Sequence, residues 1–293
     1  MEKIKPDQKG LCKRTHYIDI GPNKLAVHEI FEDAGALNSR PILILCHGIT
    51  YSSLAVYDIP IDGYSFCERL ALCGYKVFMP DYLGYGMSQY TEEMEVNSES
   101  ALRDLGLTVN YIRSAGNKGK IGIVGWSWGA QVAGLCVQVN SNIFSALVLY
   151  GFKWHIDRST LPAITGNRRN NDANHLKSDF TVPETIIPDV LEIYIQRALE
   201  LDPTSPNGPR MEVLKKDTFL TPELIHIPTL IVHGHMDPGL DQNDSLEFFK
   251  RLASPEKHYS IIYGAHPIHL EKNYWQLVNV LDAFFKNYLS IRK

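Results

Sequence analysis

Near the start of the chain, apolar and polar residues alternate in two segments, residues 15–20 and 25–31. Alternation with a period of two is typical of a β-strand that buries one face. Gly21, Pro22 and Asn23 lie between the two segments, and these residue types favour turns. The pattern therefore predicts an antiparallel β-hairpin.

Six later segments are mainly apolar and do not alternate: residues 42–46, 75–79, 120–124, 146–150, 229–232 and 258–263. A strand needs apolar residues at successive positions when helices cover both of its faces, as in a parallel central sheet. Candidate helices lie between these segments, at residues 65–73, 98–114, 128–140, 243–252 and 271–289. Strands that alternate with helices predict a doubly wound α/β fold.

The alternation stops between residues 152 and 222, a stretch with seven prolines, a polar patch at residues 167–171 and one helix candidate, Pro188–Leu201. A stretch of this length is too long for a connecting loop in a compact domain. Several of its apolar side chains require burial, namely Phe180, Ile186, Ile187, Leu191, Ile193 and Tyr194. We therefore predict a core of residues 1–151 and 223–293 with an inserted cap, or lid, at residues 152–222.

The composition narrows the class of protein. Of the 293 residues, 44% are hydrophobic and 21% are charged, which is typical of a globular protein and excludes the collagenous, coiled-coil and disordered classes. The net charge is −4 and no basic stripe occurs. Neither nucleic acid nor an anionic membrane surface is therefore an expected partner.

No segment of the sequence predicts export or membrane insertion. Residues 1–10 lack the apolar centre of a secretory signal, and no apolar run reaches the roughly 18 residues that span a bilayer. The five cysteines lack the paired spacing of a disulfide framework or a zinc site. We therefore expect a soluble protein of the reducing cytoplasm.

The strongest chemical signal is the sequence Gly-Trp-Ser-Trp-Gly at residues 125–129, between the predicted strand 120–124 and a predicted helix. A serine on such a strand-to-helix turn is exposed at the edge of the sheet, and the glycines allow strand and helix to cross closely. The helix N-terminus beside it favours developing negative charge. Ser127 is therefore the predicted nucleophile.

A serine nucleophile needs a base, and the base needs a carboxylate that orients it. Asp237 follows the predicted strand 229–232, and His266 follows the predicted strand 258–263. Ser127, Asp237 and His266 follow one another along the chain in the order nucleophile, acid, base. Strand–turn–helix sites of this kind use that order. These three residues are therefore the predicted catalytic triad.

Other residues compete for the roles of acid and base. His269 lies three residues after His266 and is an alternative base. Asp157, shortly after the predicted strand 146–150, is an alternative acid, and Asp241 is a weaker one.

A metal site is a further alternative at the same place. His233, His235 and Asp237 match the pattern H-x-H-x-D, in which histidines and a carboxylate bind metal ions. Pro238 stands where metal-binding enzymes with this pattern usually have another histidine. We therefore predict no metal ligands here.

Hydrolysis of a carbonyl compound develops an oxyanion, which backbone N–H groups must stabilise. The N–H of Trp128, directly after the nucleophile, is one predicted donor. The other comes from the loop after strand 42–46, which reads His-Gly-Ile-Thr at residues 47–50, and we predict the N–H of Ile49. We expect His47 to shape this loop and to lie at the substrate. Trp126, Trp128 and Trp154 flank the site and are the other predicted substrate-binding residues.

Four landmarks together resemble the α/β-hydrolase family. They are His47-Gly48, residues 81–88 (Asp-Tyr-Leu-Gly-Tyr-Gly-Met-Ser), residues 125–129, and Asp237 with His266. The resemblance extends over residues 40–290 and implies an eight-stranded, mostly parallel sheet flanked by helices, a catalytic triad and a cap after the sixth strand. Ser127 differs from the aspartate nucleophile of haloalkane dehalogenases and epoxide hydrolases. The long loop at residues 52–65 resembles serine esterases that act on bulky esters, including macrolide-lactone esterases.

These observations predict a serine hydrolase that cleaves a carboxylic ester or lactone, including a bulky macrocyclic lactone, through an acyl-enzyme intermediate. The expected partner is this small-molecule substrate, and no cofactor is expected, since a triad carries out the proton transfers itself. Acyl transfer to another acceptor, and thioester or amide cleavage on the same triad, remain alternatives. A non-catalytic small-molecule receptor with a hydrolase fold is another.

Overall fold

The computed structural model describes residues 10–33, 37–89, 95–156 and 164–289. The strands in this part of the chain are β1 (Leu11–Ile20), β2 (Asn23–Glu32), β3 (Ile42–Cys46), β4 (Lys76–Pro80), β5 (Ile121–Trp126), β6 (Phe144–Tyr150), β7 (Arg168–Asn170), β8 (Thr204–Pro206), β9 (Thr229–Gly234) and β10 (Lys257–Ile262). The α-helices are α1 (Ser53–Tyr57), α2 (Phe66–Leu72), α3 (Ser98–Ser114), α4 (Trp128–Val139), α5 (Ala173–Ser178), α6 (Pro188–Leu201), α7 (Gly208–Lys215), α8 (Gln242–Arg251) and α9 (Tyr274–Leu289).

Eight of these strands form one sheet, in the order β1-β2-β4-β3-β5-β6-β9-β10. β1 and β2 pair as the antiparallel hairpin that the alternating pattern predicts, and β2 pairs antiparallel with β4. All other neighbours in the sheet are parallel. The mostly parallel eight-stranded sheet that we expected is therefore confirmed.

The central strands are mainly apolar because apolar layers cover both faces of the sheet. In β3, Leu43 and Leu45 belong to a buried cluster that includes residues of α2 and α9. Their neighbours Ile42 and Ile44 point to the opposite face and belong to a second cluster, with residues of α3, α4 and α8. A strand with one solvent face would need polar residues at alternate positions.

The observed bounds differ from the sequence prediction by a few residues at most strands and helices. Strand β1 begins four residues earlier than predicted, at Leu11, and α9 begins three residues later, at Tyr274 and not at Glu271. The Glu271 carboxylate accepts hydrogen bonds from Ala265 N at 2.8 Å and Thr185 Oγ1 at 2.6 Å. This side chain therefore fixes the loop before the helix, and the chain enters the helix only after it.

Residues 152–222, which we call the connecting segment, join β6 to the core strand β9. Its described residues contain α5, α6 and α7 and the small antiparallel pair of β7 and β8. Phe180 and Tyr194 are buried in the cluster that lies against α2 and α9. The other apolar residues that we expected to require burial are Ile186, Ile187, Leu191 and Ile193, and they pack partly buried against the same cluster.

Within the described ranges, none of the helices combines the length and the apolar composition that crossing a bilayer requires.

Candidate active site

Ser127 lies on the turn between β5 and α4 in a strained backbone conformation. Its φ is 57° and its ψ is −124°, and it is the one non-glycine residue with positive φ among the described residues. Its N–H donates to Tyr150 O at 2.9 Å, and its carbonyl accepts from Ala130 N at 3.0 Å. Such a conformation costs about 1–3 kcal/mol and persists only where the surrounding structure enforces it. The turn predicted from the sequence is therefore present.

The two glycines of the motif allow the strand and the helix to approach. A Cβ on Gly125 would lie 2.2 Å from Gly129 O, and a Cβ on Gly129 would lie 2.3 Å from Cys46 O. Both contacts are with backbone atoms, which no side-chain rotation relieves. Helix α4 thus begins directly against the end of β3, where the loop with Ile49 starts.

His266 and Asp237 are hydrogen-bonded, with 2.7 Å between His266 Nδ1 and Asp237 Oδ2. The other Asp237 oxygen accepts from Gly239 N at 2.7 Å, which fixes the carboxylate. Burial lowers the pKa of His266, but the charge and the hydrogen bond of Asp237 outweigh it and raise this pKa above its ordinary value. Burial likewise opposes the charge on Asp237, yet the contact with His266 lowers the pKa of the carboxyl below its ordinary value.

Ser127, Asp237 and His266 line one cavity of about 320 Å³. Trp128 and Ile49 line the same cavity. The fold therefore brings together the three residues predicted as a triad and the two predicted as oxyanion donors. The N–H of Trp128 belongs to the first turn of α4, where backbone donors have no partner within the helix.

The alternative acids and base occupy other positions. His269 is fully buried, and its Nδ1 pairs with Tyr150 Oη at 3.0 Å, whereas the carboxylate of Asp237 pairs with His266. Burial lowers the pKa of His269 to about 3. The Asp241 carboxylate caps α8 by accepting from Asn243 N at 2.9 Å. Asp157 lies outside the described residues.

His47 shapes its loop, as expected, but does not line the cavity. Its Nε2 accepts from Tyr82 N at 3.2 Å, so Nδ1 carries the proton and donates to Gly48 O at 2.8 Å. Burial lowers the pKa of His47 to about 4, in agreement with this neutral form. The predicted contact of His47 with substrate is not supported, because both ring nitrogens bond to backbone groups.

Of the three tryptophans predicted at the substrate, only Trp128 lines the cavity. The ring of Trp126 lies 5.1 Å from the ring of His266, and its Nε1 donates to His266 O at 3.2 Å. Trp126 thus packs against the histidine ring and bonds to the histidine backbone. Trp154 packs against Phe248 in the core and donates from Nε1 to Leu220 O at 2.9 Å. Lys153, one residue earlier, reaches the cavity in its place.

Several residues that line the cavity were not found from the sequence. They are Gln131, Gly151, Lys153, Ile156, Asp179, Val213, Pro238 and Gly239. Gln131 could have been predicted from the sequence, since it lies three residues after Trp128 and therefore on the same face of the predicted helix. Asp179 and Val213 come from the connecting segment and follow no motif. Burial raises the pKa of the Asp179 carboxyl, and its charge contributes to the raised pKa of His266.

The described residues contain no group of three or more His, Cys, Asp or Glu side chains that could hold a metal ion. His233 Nε2 pairs with Ser245 Oγ at 2.8 Å, and burial lowers the pKa of His233 to about 4. His233 is therefore a neutral histidine of the core. The carboxylate of Asp237 is already engaged by His266 and Gly239 N.

The sheet, the strained serine turn and the His–Asp pair together define an α/β-hydrolase. The chain belongs to the family whose model is described as "Serine aminopeptidase, S33", which matches residues 38–273. No curated protein sequence matches the chain.

Several solved structures share the fold. An esterase from Thermogutta terrifontis superimposes with a TM-score of 0.70 at 18% identity, over 94% of this chain and 100% of that chain. E-2-(Acetamidomethylene)succinate hydrolase superimposes with a TM-score of 0.68 at 17% identity, over 94% of this chain and 100% of that chain. The thioesterase domain of the curacin biosynthetic pathway superimposes with a TM-score of 0.65 at 15% identity, over 94% of this chain and 99% of that chain. At these identities the likeness establishes the fold and not the substrate.

Proposed function

We propose that this α/β-hydrolase cleaves a carboxylic ester or lactone through an acyl-enzyme formed on Ser127. The observation that carries the proposal is the arrangement of the strained Ser127 turn and the hydrogen-bonded pair of His266 and Asp237 around one cavity. Strained serine turns of this kind serve to expose a nucleophile. The hydrogen bond between His266 and Asp237 and the structural roles of His269 and Asp241 support His266 as the base and Asp237 as the acid.

In the proposed reaction, Asp237 accepts a hydrogen bond from the Nδ1–H of His266. This fixes the tautomer in which Nε2 is unprotonated and can take the hydroxyl proton of Ser127. The serine oxygen attacks the carbonyl carbon, and the N–H groups of Trp128 and Ile49 stabilise the resulting oxyanion, each by about 3–4 kcal/mol. His266 then returns the proton to the leaving alcohol as the ester bond breaks. Water, deprotonated by His266, attacks the acyl-enzyme and releases the acid and the free serine.

The cavity favours substrates of moderate size. Its volume of about 320 Å³ is at the lower end of the roughly 300–1,000 Å³ of small-molecule pockets. Ile156, Asp179 and Val213 of the connecting segment line it, which supports a cap role for residues 152–222. A macrocyclic lactone would need this cap to move outward. Small and medium esters and lactones are therefore the first candidates, and macrocyclic lactones are the second.

The experiment is a substrate panel with one acyl group presented as an ester, a thioester and an amide, together with simple and macrocyclic lactones. The proposal predicts turnover of the ester or a lactone and no turnover by Ser127→Ala. With the ester, it predicts an initial burst of alcohol equal to the enzyme if deacylation is the slow step. Faster cleavage of the amide would identify a peptidase-like activity, and a faster thioester reaction would identify a thioesterase. Acyl transfer to an added alcohol in preference to water would identify an acyltransferase.

A receptor function makes the opposite prediction for the same compounds. A receptor would bind one of them tightly without a burst, and Ser127→Ala would leave that affinity unchanged. The cytoplasmic location and the lack of nucleic-acid or membrane partners stay predictions from the sequence.

A further inference from the structure

The loop that carries Ile49, residues 47–52, is held by hydrogen bonds from two sides; we call it the oxyanion loop. From the core, Tyr85 Oη donates to Ile49 O at 2.9 Å. From the connecting segment, Arg210 Nη2 donates to Thr50 Oγ1 at 2.8 Å. The same segment supplies Asp202, whose Oδ2 accepts from the backbone N–H of Ser52, also at 2.8 Å. The oxyanion loop is therefore attached to a part of the chain more than a hundred residues away.

Asp202, at the end of α6, joins three parts of the molecule. Its second oxygen, Oδ1, accepts from Gly86 N at 2.7 Å, and Gly86 lies in the loop after β4. The residue is 2% exposed, so water does not replace these bonds when they are lost. One carboxylate thus connects α6, the oxyanion loop and the loop after β4.

The two loops are packed so closely that they cannot adjust to a change at Asp202. Gly86 has a φ of 51°, and a Cβ there would lie 2.5 Å from Ser52 Cβ and 2.3 Å from Asp81 Oδ2. Asp81 fixes Ser53, the residue directly after the oxyanion loop, and Met87 of the loop after β4, by accepting from the backbone N–H of each at 2.9 Å. A displaced Ser52 therefore cannot move inward, and its movement passes along the loop towards Ile49.

We propose that Asp202 is a positioning residue of the oxyanion hole, which holds the Ile49 N–H in place through Ser52. Arg210 supports the same loop through Thr50. The connecting segment thereby contributes to catalysis beyond covering the cavity, since the oxyanion donor is correctly placed only while α6 is docked. The assignment rests on the proposed function, because it presumes that Ser127 and Ile49 act on a carbonyl group.

The test is Asp202→Asn. An amide has one acceptor oxygen, so its NH₂ group faces either Ser52 N–H or Gly86 N–H, and the two donors repel each other. We expect kcat for an ester to fall by about tenfold to a hundredfold, since a displacement of about 1 Å has effects of this size. We expect KM to change by less than about threefold, because the oxyanion forms only after the substrate has bound. The rate of labelling of Ser127 by a fluorophosphonate falls with kcat.

Asp172→Asn is the matched control. Asp172 is also a carboxylate of the connecting segment, and its Oδ1 accepts from the backbone N–H of Asn174 at 2.8 Å and of His175 at 3.0 Å. Because one oxygen accepts both bonds, Asp172→Asn removes the charge without removing an acceptor. It contacts no residue of the oxyanion loop through these bonds, so we expect its kcat to equal that of the wild type. An equal loss of kcat in Asp202→Asn and Asp172→Asn would overturn the assignment.

Arg210→Lys serves as a second variant in case Asp202→Asn does not fold. Lysine keeps the positive charge but lacks the planar guanidinium, whose two terminal nitrogens donate to Thr50 Oγ1 and Pro206 O. We expect the same split, a lower kcat with little change in KM. If Asp202→Asn and Arg210→Lys lose thermal stability but keep the wild-type kcat, the role is structural and the assignment is wrong. If the folded wild type is not labelled at Ser127, the proposed function itself fails.

Discussion

Gly129→Ala should damage both stability and activity, because helix α4 begins directly against the backbone of β3 and the oxyanion loop. The added Cβ would lie 2.3 Å from Cys46 O and 2.4 Å from His47 O, whereas an ordinary contact begins at 3.4 Å. The start of α4 must therefore move away by about 1 Å, and forced repacking of this kind costs about 1–3 kcal/mol. The movement separates the N–H of Trp128 from Ile49, and a shift of about 1 Å can lower kcat by about a hundredfold.

Gly106→Ala is the matched control for this prediction. Gly106 lies inside α3, and a Cβ there would meet no atom within 4 Å. Alanine in such a helix position stabilises by about 0.5–1 kcal/mol and should leave kcat unchanged. The assay is urea unfolding followed by circular dichroism, together with kcat and KM for a nitrophenyl ester. A Gly129→Ala variant with wild-type stability and turnover would refute the close packing of α4 on β3.

Three further predictions concern single side chains. Asp237→Asn removes the charge that raises the pKa of His266; since the base acts only when neutral, the acidic limb of kcat/KM should move to lower pH, and kcat should fall about 10⁴-fold. An unmoved limb in the pH–rate profile would contradict this pairing. Asp179→Asn should also move the acidic limb of kcat/KM to lower pH, by less than Asp237→Asn does, with a small change in kcat. A shift of this limb to higher pH would contradict the prediction. The Asp104 carboxyl, buried beside Leu83 N, has a pKa raised to about 6. The folded state thus keeps a proton that the unfolded state loses, and stability falls as pH rises from about 4 to 6. Urea unfolding should show that Asp104→Asn gains about 2 kcal/mol relative to the wild type between pH 4.5 and 7.5; an equal difference at both values would contradict it.

The fold was predictable because its central strands have a simple physical requirement. Each is buried on both faces, as Ile42 and Leu43 illustrate in β3, so each is a mainly apolar run in the sequence without the alternation of a half-exposed strand. The strained turn at Ser127 was predictable for a similar reason, since only glycine fits at residues 125 and 129. Both signals are local and do not depend on distant parts of the chain.

The parts of the site that sequence analysis missed depend on distant or irregular backbone. Trp154 was expected at the substrate, but the backbone after β6 is irregular and directs Lys153 to the cavity instead. Asp179 reaches the cavity only because α5 and α6 pack on the core. Asp202 bonds to backbone N–H groups, which every residue except proline has, so its partners leave no trace in the sequence.

The central claim is that Ser127 is an activated nucleophile. The most direct measurement is the intact mass of the folded protein after reaction with a fluorophosphonate, followed by peptide mapping, with Ser127→Ala as the control. The account predicts a single adduct on Ser127 and none on the control. An adduct on another serine, or no adduct on folded wild-type protein, would contradict the account.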